Sequence, residues 1–138
     1  EKMGLAPRGV LHLSVLEARD VVPAELQGSS LAVYCRVCVK EALRRRFKRS
    51  NDHPLSSPSF TWNEVLELGD VAGDASVVLD VYAKSVSEGP PGADEFMGKA
   101  LISLAGASRP QEQWVELLAG ELRVRCTFEP WSEEEEEE

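Results

Sequence analysis

Ten residues carry the densest chemistry in the chain. From Lys40 to Arg49, "KEALRRRFKR", there are six basic side chains (Lys40, Arg44, Arg45, Arg46, Lys48 and Arg49) against one acid, Glu41. Guanidinium groups present planar donor forks that suit phosphate and carboxylate oxygens. If this run is extended, period-two alternation sets Arg44, Arg46 and Lys48 on one face and Arg45, Phe47 and Arg49 on the other. Arg36 and Lys40, outward on the preceding strand, join whichever set faces outward. The run has a plainer use too, because basic side chains on an edge strand discourage pairing with other sheets.

Other candidate chemistry is sparse. Cys35 and Cys38 form a CxxC pair, but no second CxxC or histidine pair completes a zinc site. On a strand, an i,i+3 pair also points to opposite faces. With Cys126 the cysteine count is three, a poor disulfide framework, which favours a cytoplasmic setting. His12 falls on the outer face of an alternating stretch and His53 in the turn "NDHP". Neither accompanies a nucleophile motif, so no catalytic residues are expected. No glycine-rich phosphate loop follows a strand and opens a helix. The net charge of −9 argues against nucleic acid as a partner.

The loop "VYAKSVSEGPPGADEFMG", Val81 to Gly98, has the outline of a calcium loop. Calcium takes six to eight oxygens, mostly from carboxylates, and no Asp-x-Asp pair occurs in this stretch. Asp94 and Glu95 read as a solvated loop end, and Gly98 as a bend into the next strand. No metal site and no cofactor are expected.

The elements that position the basic run are strands. "VLHLSVL" turns Leu11, Leu13 and Val15 to one side, and "AVYCRVCVK" turns Val33, Cys35, Val37 and Val39 inward. "FTWNEVLEL", "SVVLDVYA", "FMGKALISL" and "QWVELL" are further strands. "ELRVRCTFE" places Leu122, Val124, Cys126 and Phe128 inward. With the basic run this makes eight, separated by Pro, Gly, Ser and Asn clusters: an all-β antiparallel sandwich. A helix through "VKEALRRRF" is the competing local reading. Trp62 and Trp114 are assigned to the core and Trp131 to an anchor at the exit. Of 138 residues, 43% are hydrophobic, enough for one domain with its own core. Glu133 to Glu138 supply six of the negative charges, a block expected to be disordered. The division is therefore an N-terminal extension over 1–8, a domain over 9–129 and an acidic tail over 130–138.

Three pieces, in order, resemble C2 domains. "GVLHLSVLEARDV" (Gly9 to Val21) is similar to the family's opening Gly-x-Leu-x-Val-x-Val strand. "SPSFTWNEVLEL" (Ser57 to Leu68) is similar to its Asn-Pro-x-Trp-Asn-Glu segment, with Pro58 two residues further from Trp62. "DEFMG" (Asp94 to Gly98) is similar to the Asp-Asp-Phe-Leu-Gly after the third loop. The resemblance covers about residues 9–128. It implies an eight-stranded sandwich with three loops at one end, in the topology where no extra strand precedes the first motif. The ending, a Trp–Leu strand followed by Gly-x-Leu, resembles that of extended synaptotagmins and related lipid-transfer proteins.

The resemblance also bears on the ligand. Of the five acid positions of calcium-binding members, alignment puts Leu26, Ala32, Ala83 and Ser85 at four; Glu95, with Asp94 beside it, keeps a carboxylate. Calcium independence follows, with Asp20, Glu25 and Glu88 as loose acids that do not restore the set. The basic run stands where the family carries a lysine-rich strand on its concave face, which receives phosphoinositides or acidic segments of other proteins. The expected site is Arg36, Lys40, Arg44, Arg45, Arg46, Lys48 and Arg49. At about 1 kcal/mol per basic residue, four or five give roughly millimolar membrane affinity. That suits a peripheral module on a cytoplasmic membrane surface. The resemblance implies a host that tethers membranes or carries lipid, with the endoplasmic reticulum as its expected anchorage. The alternative partner is an acidic protein segment docked on the same face. Val21, Val22, Leu26 and Val86 offer little apolar surface for insertion at the loop tips, and the Glu-rich tail competes with lipid if it folds back.

Overall fold

The computed structural model describes residues 7–23, 30–86, 94–104 and 110–131. All elements among them are strands: β1 (Arg8–Arg19), β2 (Leu31–Lys40), β3 (Arg45–Arg49), β4 (His53–Pro54), β5 (Phe60–Ala72), β6 (Ser76–Ser85), β7 (Glu95–Ser103), β8 (Gln111–Glu116) and β9 (Glu121–Pro130). The eight expected strands are present, and the two-residue β4 is an addition. β1 and β9 each reach one residue beyond the 9–129 division. The Glu-rich run lies outside the described residues, as do Glu25, Leu26 and Glu88.

The strands form two antiparallel sheets. One has the order β5-β1-β9-β8; the other runs β3-β2-β6-β7, with β4 pairing β2. Alternation decides which side of each strand meets the opposite sheet. Leu11, Leu13 and Val15 of β1, Val33, Cys35, Val37 and Val39 of β2, and Leu122 and Val124 of β9 are all buried in one core. Burying each such side chain contributes about 1.5–3 kcal/mol, so the sheets hold by their inner faces. Trp62 belongs to this core.

Two local readings are corrected. Residues 41–44 form no helix: the Glu41 N–H donates to the Arg44 carbonyl at 2.9 Å, closing a tight turn between β2 and β3. Arg44 is therefore a turn residue, and the strand starts at Arg45. Trp114 is not in the core but 39% exposed, because β8 is an edge strand whose outer face meets solvent. There the Arg19 guanidinium lies 4.1 Å from its ring centroid, a cation–π contact.

Gly98 sits beside an irregularity in the β6–β7 register. A Cβ there would stand 2.7 Å from Leu117 Cδ2, so the two sheets close around a missing side chain. The bulge also re-aims β7: Met97 is buried while Phe96 and Leu101 are exposed, which strict alternation through Phe96 would not give.

Candidate functional site

Register sorts the basic run by face, since residues opposite one another on paired strands project to the same side. Arg36 pairs with Arg49, Cys38 with Phe47, and Lys40 with Arg45. Arg36, Lys40, Arg45 and Arg49 thus share the outward face of the second sheet. Val37 pairs with Lys48 and Val39 with Arg46; as the two valines point into the core, Arg46 and Lys48 project from the edge toward the other sheet. The expected seven residues are split between two surfaces.

Arg44 and Arg46 are engaged elsewhere. Both donate to the Asp70 carbonyl oxygen, at 2.9 and 2.8 Å. Asp70 also accepts from Arg8 Nε at 2.6 Å. Glu41 receives Arg8 at 3.2 Å and the Ala72 N–H at 3.1 Å. The result is an ionic clasp joining the start of β1, the β2–β3 turn and the end of β5. Burial alone would raise the Glu41 carboxyl, but the Ala72 N–H and the Arg8 guanidinium hold it below the ordinary value. Hydrogen bonding to Arg8 likewise lowers Asp70. Arg44 and Arg46 therefore act first as struts.

The outward face is built in rows, each crossing the strands from β3 to β7. One reads Arg49, Arg36, Asp80, Lys99 and the next Phe47, Cys38, Val78, Leu101. On one side of this pair stand Arg45, Lys40 and Ser76; on the other, Tyr34, Tyr82 and Phe96. Asp80 partly offsets Arg36 at 3.6 Å. Asp52 engages Arg49 at 2.7 Å and Lys84 at 3.2 Å. Among the described residues, Lys40, Arg45 and Lys99 of this face pair with no carboxylate. Aromatic rings brace the cations: Arg49 lies 3.8 Å from the Tyr34 centroid, and Arg36 5.2 Å from Phe47 and 5.7 Å from Tyr82. Tyr34 and Tyr82 stack at 5.4 Å.

Sequence reasoning missed Lys99, Phe47, Leu101 and the tyrosines. Lys99 could have been found by continuing the outward set across β6, had the bulge at Met97 been anticipated.

At the end where β1, β6 and β7 meet their loops, the calcium positions are poor in oxygen. Ala32 and Ala83 are buried alanines. The Asp94 carboxylate receives the Tyr34 hydroxyl at 2.5 Å; burial, then this bond, pushes Tyr34 up to about 12. Val21 is buried, while Val22 and Val86 are exposed.

The C2 domain family model matches residues 9–117. The chain belongs to the C2 domain family. Solved C2 domains share the fold at low identity. A C2 domain of plant extended synaptotagmin 1 superposes with TM-score 0.69 at 18% identity, covering 91% of this chain and 98% of that one. A calcium-bound structure of a pair of C2 domains from extended synaptotagmin 2 gives 0.64 at 22%, covering 90% of this chain and 46% of that one. Human group IVD cytosolic phospholipase A2 gives 0.70 at 18%, over 93% of this chain and 18% of that one. No curated protein matches in sequence closely enough to count as a relative. In this C2 domain, Cys35, Cys38 and Cys126 are free and buried, with desolvation pushing the Cys35 thiol up to about 12, far from a reactive thiolate. Among the described residues no helix is long and apolar enough to cross a membrane.

Proposed function

We propose that this C2 domain is a non-catalytic, calcium-independent module for peripheral binding to anionic membranes or phosphoinositide head groups. The observation that carries the reading is the outward set Lys40, Arg45 and Lys99, exposed and without carboxylate partners among the described residues. Arg36 and Arg49 stand beside them, held by aromatic rings and each sharing a carboxylate. Preordered cations lose little entropy when a phosphate arrives. Lys48 extends the field around the β3 edge, and Arg44 and Arg46 contribute at long range.

Calcium independence rests on the loop residues. Ala32 and Ala83 supply no side-chain oxygen where the resemblance puts ligands, and Tyr34 engages Asp94. The ending it shares with extended synaptotagmins supports a host that tethers membranes or carries lipid, with this module at the cytoplasmic membrane surface.

Flotation with phosphatidylserine or phosphoinositide vesicles, in calcium and in chelator, tests the reading. Equal recovery in both conditions, and none with neutral phosphatidylcholine, is expected. Recovery that appears only with calcium would overturn it.

A further inference from the structure

Two hairpin turns each hold a leucine clear of the domain. Leu43, in the β2–β3 turn, is 97% exposed, and Leu118, in the β8–β9 turn, 77%. The turns close alike: the Glu41 N–H donates to the Arg44 carbonyl and the Leu117 N–H to the Gly120 carbonyl, both at 2.9 Å. They lie at opposite ends of the sandwich. The Leu118 N–H donates to the Met97 carbonyl near the start of β7. Lys40, at the base of the Leu43 turn, is in register with Ser76 and through it with Ser103, the last residue of β7. Charge separates the two. Lys40 and Arg45 face each other at the base of the Leu43 turn, with Arg44 beside them. At the base of the Leu118 turn the facing residues are Glu116 and Glu121, the latter paired with Arg19. An anionic surface attracts the first pair and repels the second.

We propose that Leu43 is the insertion point of the domain: on an anionic leaflet the β2–β3 turn sinks this leucine past the phosphates, which Lys40, Arg44 and Arg45 hold. The inference rests on the membrane reading above and adds which end of the domain enters the leaflet. A single exposed leucine is ordinary on a protein surface; what sets Leu43 apart is its mounting. Glu41, two residues away, is held by Arg8 and the Ala72 N–H, and Arg44, the next residue, by the Asp70 carbonyl. The turn is thus fixed before it meets lipid, and insertion costs little further ordering. The tip stands one to two residue steps, about 3–7 Å, beyond the cations at its base. With those cations at the phosphates, the leucine reaches the boundary between head groups and acyl chains. The acids of this end do not oppose it strongly. Glu41 and Asp70 are neutralised within the clasp, which leaves Asp74, and Glu133 to Glu138 follow β9 of the other sheet. The domain then meets the leaflet with the β2–β3 end of its outward face lowered.

Affinity for phosphatidylserine vesicles in chelator tests this. Leu43→Ser is expected to lose about tenfold or more with an unchanged melting temperature, since the side chain touches little of the fold. Leu43→Phe should bind within about threefold of the wild type, and Leu118→Ser as tightly as the wild type. A second measurement reads depth. Cys35, Cys38 and Cys126 are buried, so a polarity-sensitive dye can be placed on Leu43→Cys or Leu118→Cys. Vesicles should shift the emission of the dye at 43 to the blue and leave that at 118 unchanged. Leu43→Ser binding as tightly as the wild type, Leu43→Phe losing as much as Leu43→Ser, or a dye at 43 that stays in water overturns the proposal. So does Leu118→Ser losing as much as Leu43→Ser, which would make the other end the one inserted. A wild type that binds no anionic vesicle overturns the membrane reading itself, whereas binding that ignores Leu43 overturns this inference alone.

Discussion

At the residue scale, the decisive fact is what each cation already touches. Glu41, with its side chain only 10% exposed, ties three segments together through Arg8, Arg44 and the Ala72 N–H. Its carboxyl and that of Asp70 are held below their ordinary values. A depressed carboxyl stabilises the fold above its unfolded pKa and loses that contribution as pH falls through its folded pKa. The melting temperature should therefore drop as the medium is acidified from about pH 5 to about pH 2, and Glu41→Gln should flatten the dependence. A variant as acid-sensitive as the parent would contradict the clasp. Gly98→Ala, by forcing a methyl against Leu117, is expected to cost about 1–3 kcal/mol in chemical denaturation.

At the scale of elements, β3 does two jobs. Its core-side edge braces β5, and its outward side carries two of the cations proposed to meet lipid, Arg45 and Arg49. Arg46→Ala, alone or with Arg44→Ala, should lower the melting temperature while leaving most vesicle affinity intact. Arg45→Ala should do the reverse, losing roughly fivefold in affinity, about 1 kcal/mol, with an unchanged melt. If both variants moved the same observable, the division of the strand by face would be wrong. The strands themselves were legible because alternation in "VLHLSVL", "AVYCRVCVK" and "ELRVRCTFE" is a local signal that the core obeys. The site was legible only in part. Arg44 and Arg46 found their partner in Asp70, more than twenty residues away, and nothing local announces such a pairing. Phe96, Lys99 and Leu101 all face outward because of the bulge at Met97, which alternation does not foresee. Trp114 was misplaced because size suggests burial, whereas an edge strand offers its outer face to solvent.

At the scale of the whole molecule, a chain of net charge −9 presents one cationic face on one of its two sheets. Long-range attraction to an anionic surface is thus weak, and the proposed binding requires close approach of that face, within about 10 Å at 0.1 M salt. The central claim is that fixed cations on the outward face of the second sheet, and no divalent ion, attach this C2 domain to anionic lipid. Its most direct test is the affinity for phosphatidylserine vesicles in chelator, measured against salt for the wild type and for Lys40→Ala/Arg45→Ala/Lys99→Ala. The wild type should bind and weaken steeply with salt, while the triple variant should lose on the order of 100-fold at low salt, about 1 kcal/mol for each cation. A triple variant that binds as tightly as the wild type, with the same salt dependence, would contradict the account.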